Sequence, residues 1–173
     1  MNPEYFIFLG LYLVGLGVRH GYEQLKKSGR VNSRNKFVFM AVFAAMCLMW
    51  AGWFQMCSLD PFPHVPPAIV RRVTFGLVLL GFVLAIGSFF QLRGVENIDR
   101  LVSSGLYSKV RHPMYAGFIL WIIGWVVYQG AAASAVPGLA GILSILYWQR
   151  LEEALLELQY GETYKQYRTK TWF

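Results

Sequence analysis

The chain has 173 residues, room for one domain, and 56% of them are hydrophobic, 17% aromatic and only 14% charged. A soluble domain carries roughly 25% charge, so this composition excludes a water-soluble globule and indicates an integral membrane protein. The net charge of +7 does not indicate nucleic acid, because the basic residues sit in short connectors between apolar runs and form no stripe interleaved with aromatics.

The opening MNPEYFIFLG has no basic flank and no small-residue cleavage site, so residues 5–18 read as a retained span, not a signal peptide. That run is shorter than the roughly 20 residues a span needs, and it lengthens by snorkelling through Arg19 and His20. Gly15-Leu16-Gly17 lies inside it, without the strand and turn of a phosphate loop, and predicts close helix packing. Residues 37–57 and 73–92 predict two full spans. Cys47 and Cys57 share the first of these, roughly 15 Å apart along a helix, too far for a disulfide; both are expected as free thiols. Residues 114–149 carry no charge and are too long for one helix. Gly130, Pro137 and Gly138 favour a turn that splits the run into a hairpin. The tail 150–167 is helical, with Leu151, Leu155 and Leu158 on one stripe, Glu152, Glu153 and Glu157 on other faces, and a break at Gly161. His20 and His64 are isolated and read as interfacial; no Cys/His set has zinc spacing, so no metal is expected.

The expected architecture is all-α: a membrane bundle of about five transmembrane helices with a cytoplasmic amphipathic helix at its C-terminal end. Residues 1–92 supply three spans; residues 93–173 supply the connector, the hairpin and the last helix. Every Lys and Arg except Arg71 and Arg72 falls on one side of such a bundle, which predicts the N-terminus outside and the C-terminus in the cytoplasm.

Two polar clusters stand out. In LVSSGLYSKVRHPMYAG, residues 101–117, Gly105 permits a turn and Pro113 suits a helix start, where its missing N–H costs nothing. His112 then sits at the helix entry, and Arg111 and Tyr115 share a face. The cluster suits a polar ligand at the membrane surface, and it equally suits a positive-inside anchor with an interfacial tyrosine. The second cluster is QRLEEALLE, residues 149–157, where adjacent carboxylates at a membrane exit either hold a cationic or hydroxylated ligand or form a solvated helix face. A tight hairpin brings the two clusters side by side.

GLYSKVRHPMYAG, a helical hairpin and EEALLELQYGETYKQY together resemble the isoprenylcysteine carboxyl methyltransferase and phospholipid methyltransferase superfamily. Gly105, Tyr107, Arg111, His112, Pro113, Tyr115, Gly117, Glu152, Glu153, Tyr160, Gly161, Tyr164 and Tyr167 match its motifs in order and spacing. The resemblance covers residues 100–168 and implies S-adenosylmethionine as cofactor, with a lipophilic acceptor at the cytoplasmic membrane face. It implies cofactor contacts at Leu101, Val102, Gly105, Tyr107, His112, Pro113, Met114, Tyr115 and Glu152. Glu153, as a candidate base, and Arg111 are the candidate catalytic residues. The carboxyl methyltransferases place a substrate-side arginine four residues before the cofactor glutamate. Here Trp148 stands there with Arg150 nearby, both candidates for the substrate side, and this departure leaves a lipid amine as open as a prenylcysteine-like carboxylate. The partners implied are that lipid or lipophilic substrate and the surrounding membrane lipids. Two other readings remain: an NADPH-dependent membrane reductase of the sterol reductase type, whose tail carries Arg-Asp where this chain has Glu-Glu, and a small helical membrane protein without catalysis.

Overall fold

Asn2 opens the first helix with its side-chain oxygen accepting from the Glu4 N–H (3.0 Å), followed by Pro3 in the first turn. The computed structural model describes residues 2–31, 35–92 and 100–173, and these are helical apart from short connectors and isolated bridges. Among the described residues six α-helices run in order: α1 (Pro3–Lys27), α2 (Lys36–Ser58), α3 (Ala68–Leu92), α4 (Pro113–Gln129), α5 (Ala135–Tyr160) and α6 (Glu162–Lys170). A 3-10 turn, Gly105–Ser108, precedes α4. Arg34, Arg93 and the boundary expected between residues 92 and 93 lie at or within segments outside the described residues.

Of the five spans expected, α2 and α3 are long and apolar enough to cross a membrane. α4 is apolar but has 17 residues, and α1 and α5 each run on into charged sequence. α1 continues well past residue 18 because Arg19 and Glu23 neutralise each other one turn apart, at 2.6 Å and 3% side-chain exposure each. Lys26 bonds the other Glu23 oxygen at 3.2 Å. The Arg19 guanidinium lies over the Trp148 ring at 5.6 Å, and Gln24 Nε2 donates to the Tyr147 hydroxyl at 2.6 Å. These contacts pin the end of α1 against α5.

Small residues set the helix pairs. α1 packs on α2 where a methyl on Gly15 would collide with Met49, whereas Gly17 faces open space, so only the first glycine of that pair serves packing. α3 and α4 cross at Gly81 and Gly117, where a methyl on either would strike the carbonyl of the other. Gly117→Val should therefore destabilise the fold by about 1–3 kcal/mol, read as a lowered unfolding midpoint in detergent. Between the pairs lies an aromatic core in which Trp53, Trp121 and Trp148 are buried. Cys57 is buried there too, and Cys47 is exposed; both are free.

The hairpin turn is shorter than the sequence implied. α4 ends at Gly130, in the left-handed region with φ 63°, while Pro137 and Gly138 already belong to α5, where a first-turn proline has no amide to lose. Asp60, in the α2–α3 loop, caps the entry to α5: its carboxylate accepts from the Ser134 N–H (2.7 Å), the Ser134 hydroxyl (2.6 Å) and the Ala133 N–H (3.2 Å). The tail helix is a continuation of α5, which stops at Gly161 (φ 52°) as the sequence suggested. Gly138, Gly141, Ile145 and Trp148 face the bundle; further along, Leu151, Glu152 and Leu155 are half-buried and Leu158 is 85% exposed. A rigid helix inherits its rotation from the part already packed.

Candidate active site

The connector after α3 is shaped by one side chain. Gln91, in the last turn of α3, donates from Nε2 to the Ser104 carbonyl (3.0 Å) and accepts the Leu106 N–H at Oε1 (3.0 Å). Between them Gly105 turns with φ 59°, where any side chain would be strained and would also meet the Gln91 amide. Tyr107 is thereby buried against Ser88 of α3, and burial raises its hydroxyl above the ordinary tyrosine range.

Four residues on, Arg111 and His112 lead into α4, which begins at Pro113. His112 is 4% exposed and stacks on Tyr115 (centroids 5.6 Å, planes 22° apart). From across the hairpin, Glu153 Oε1 meets both residues of the pair: Arg111 Nε donates to it at 3.0 Å and His112 Nε2 lies at 3.2 Å. Glu152 Oε2 stands 4.0 Å from His112 Nδ1, beyond a hydrogen bond, with a third of its side chain open. Thus α4 and α5, antiparallel through their turn, bring the two polar clusters into contact.

The segment after α6 completes the cluster. Arg111 Nη1 donates to the carbonyls of Arg168 (3.1 Å) and Thr171 (2.6 Å), while the Arg111 and His112 amides donate to the carbonyls of Trp172 and Phe173 (3.0 and 3.1 Å). The Tyr167 hydroxyl donates to the Tyr107 carbonyl at 2.6 Å. α6 and residues 171–173 therefore strap the connector in place. Tyr164 of α6 is fully buried, its hydroxyl has no hydrogen-bond partner among the described residues, and its surroundings include Glu152, Glu153 and Arg111.

The two carboxylates differ in character. Glu153 is held down to about 2, chiefly by its hydrogen bond with His112 and also by Arg111, against the opposing effect of burial. Its folded value lies below its ordinary value of 4.5, so its stabilisation is complete above the usual carboxylate range and is lost as pH falls toward 2. Acid unfolding followed by circular dichroism should show this loss, and Glu153→Gln should flatten that limb of the profile.

The other sequence candidates fall in unequal places. Pro113, Met114 and Tyr115 are buried in the first turn of α4, and Leu101 and Val102 are half-buried on the approach to Gly105. Trp148 is 2% exposed beneath Arg19, one turn before Glu152 on the same inward stripe. Arg150 is exposed on a different side of α5, since two residues turn a helix by about 200°. Gln91, Ser88, Tyr164 and the 171–173 strap were not singled out as site residues from sequence. The only signal for them was a glutamine at the end of an apolar span and the tyrosines of the tail motif.

The family described as NnrU protein matches residues 4–169. Among curated proteins, the chain is 38% identical over 82 residues to a protein-S-isoprenylcysteine O-methyltransferase of Schizosaccharomyces pombe, covering 43% of this chain and 33% of that one. It is 27% identical over 180 residues to the enzyme of the same name in Dictyostelium discoideum, covering 94% and 75%. An Arabidopsis thaliana protein-S-isoprenylcysteine O-methyltransferase B is 32% identical over 74 residues, covering 42% and 37%. The chain thus spans about a third of the fission yeast and plant relatives. No solved structure matches it.

Proposed function

The chain belongs to the NnrU protein family, within the isoprenylcysteine methyltransferase superfamily, and we propose that it is an S-adenosylmethionine-dependent membrane methyltransferase acting on a lipophilic acceptor. The reading rests on one observation above the others: His112, at the head of α4, sits between Glu153 at 3.2 Å and Glu152 at 4.0 Å. In this reading α1, α4 and α5 cross the bilayer with α2 and α3, the His112 end faces the cytoplasm, and the N-terminus lies outside. The basic connectors gathered at that end support the orientation.

The residues present suit such a cofactor. Glu152 is a partly open carboxylate close to the buried Tyr107 and to the buried His112 ring, which stacks on Tyr115, and the buried Tyr164 hydroxyl has no partner among the described residues. A cation bearing hydroxyl donors would satisfy that set: carboxylate and aromatic faces favour positive charge, and Glu152 has oxygens to accept hydroxyls. When bound, the cofactor supplies an electrophilic sulfonium methyl, so the protein's part is positioning and exclusion of water. Glu152 holds charge and hydroxyls, Tyr107 and Tyr115 form aromatic walls, and Gly105 through Gln91 fixes the connector. Leu101, Val102, Pro113 and Met114 complete the cofactor side. Glu153, held down to about 2, is a weak base at neutral pH; its role here is to hold His112 and Arg111, and Arg111 in turn anchors the strap. Trp148 lies on the acceptor side of Glu152, whereas Arg150, on another face, reaches only an acceptor at the membrane surface.

The names of the relatives favour methyl transfer over a nicotinamide-dependent reduction. The acceptor is either a prenylcysteine-like carboxylate or a lipid amine. Purified protein incubated with methyl-labelled S-adenosylmethionine and a total lipid extract should label a lipid-soluble product that mass spectrometry identifies. No labelled product together with no cofactor binding would refute the proposal.

A further inference from the structure

The end of the bundle remote from His112 carries a second polar site that methyl transfer does not use. α4, at about 1.5 Å per residue, separates the two ends by roughly 25 Å. Here Arg71 and Arg72, the two basic residues excluded from the connectors of the other end, line a cavity of about 320 Å³ with Ala68, Phe75 and Tyr128. A neighbouring cavity of about 290 Å³ shares Arg71 and Tyr128 and adds His64 and Gln129.

The walls are fixed. His64 N–H donates to the Gly130 carbonyl (3.0 Å), Gln129 Nε2 to the Ser58 hydroxyl (2.9 Å), and Trp125 Nε1 to the Phe54 carbonyl (3.1 Å), which ties the loop and α2 to α4. The Arg71 guanidinium lies over the Tyr128 ring at 4.9 Å, a contact that orients its planar fork without using its N–H edge. Among the described residues neither arginine has a carboxylate partner. The nearby Asp60 is taken up by Ser134, Ala133 and Phe62. From the pocket onward, α3 presents Phe75, Leu79, Val83 and Ile86 outward along one apolar side.

We propose that this pocket binds the phosphate of an anionic phospholipid whose acyl chains lie along that side of α3. The volume is at the lower limit for a ligand site, right for a headgroup with the rest of the molecule outside. Paired guanidinium forks match a phosphodiester in charge and in hydrogen-bond geometry, and the apolar face next to them distinguishes a lipid from free phosphate.

The test adds dioctanoyl phosphatidylglycerol, dioctanoyl phosphatidylcholine or inorganic phosphate to the purified full chain and follows unfolding temperature and lipid retention by native mass spectrometry. Phosphatidylglycerol should bind more tightly than phosphatidylcholine, by about fivefold for each guanidinium engaged. Arg71→Gln with Arg72→Gln should abolish that preference, and Lys165→Gln with Lys170→Gln, at the other end, should leave it intact. Equal binding of the two lipids by the unaltered protein would overturn the proposal, and this arm needs no variant. So would loss of preference in the lysine pair, which would mean diffuse charge, or inorganic phosphate alone matching the lipid. Should the glutamine pair not fold, Arg71→Lys with Arg72→Lys keeps the charge without the fork and should weaken the preference; an undiminished preference there counts against the site.

Discussion

Glu152→Ala and His112→Ala should each weaken S-adenosylmethionine binding by about 10- to 100-fold, the effect of removing one charge-assisted hydrogen bond from a partly buried site. The two substitutions act by different routes. Glu152 is partly open and approaches His112 only to 4.0 Å, so its removal should leave the melting curve of the free protein nearly unchanged. His112 is buried and bonded to Glu153, so its removal should also lower stability and release the acid limb governed by Glu153. Isothermal titration in detergent, with a melting curve for each variant, separates the effects. If both variants titrate the cofactor like the unaltered protein, the site assignment fails.

Arg19→Ala is expected to be among the most destabilising single substitutions in the chain, by about 3 kcal/mol. It removes the partner of Glu23 Oε1 where both side chains are 3% exposed, and it strips the cation from the face of Trp148. A buried carboxylate deprived of its guanidinium retains its desolvation penalty, which Lys26 on the other oxygen offsets only in part. Reversible unfolding in mixed micelles should show the drop in stability. Replacing Arg19 and Glu23 with Met and Leu, together with Lys26→Gln so that no ammonium loses its carboxylate, should restore most of it, because the apolar pair has no charge to desolvate. Failure of that rescue would mean that the cation is needed for its interaction with Trp148.

Much of the fold was legible because hydrophobic runs and their breaks are local properties. The runs at residues 37–57 and 73–92 became α2 and α3, and Gly161 broke the last helix where its freedom predicted. The runs at 5–18 and 114–149 misjudged helix ends. In α1 an internal ion pair lets the helix continue through charge, and at the hairpin an aspartate from a distant loop, Asp60, caps α5 earlier than Pro137 implied. Neither partner is visible in the local window. The RHP and Glu-Glu clusters were legible as candidates from their residue types and spacing, whereas the contacts of Gln91, Tyr164 and residues 171–173 were not, because they are made to other elements of the fold.

The sequence by itself determined that this chain is helical and suited to a bilayer, that most of its basic residues fall in connectors between apolar runs, and which two polar segments are candidates for chemistry, since composition and periodicity are set residue by residue. Only the tertiary structure decided which carboxylate meets which partner. Trp148, Ile145 and Gly141 lock the rotation of α5, and that rotation turns Glu153 onto Arg111 and His112 while leaving Glu152 partly open. Adjacent residues on a helix point about 100° apart, so two identical side chains acquire opposite surroundings once packing has chosen the face.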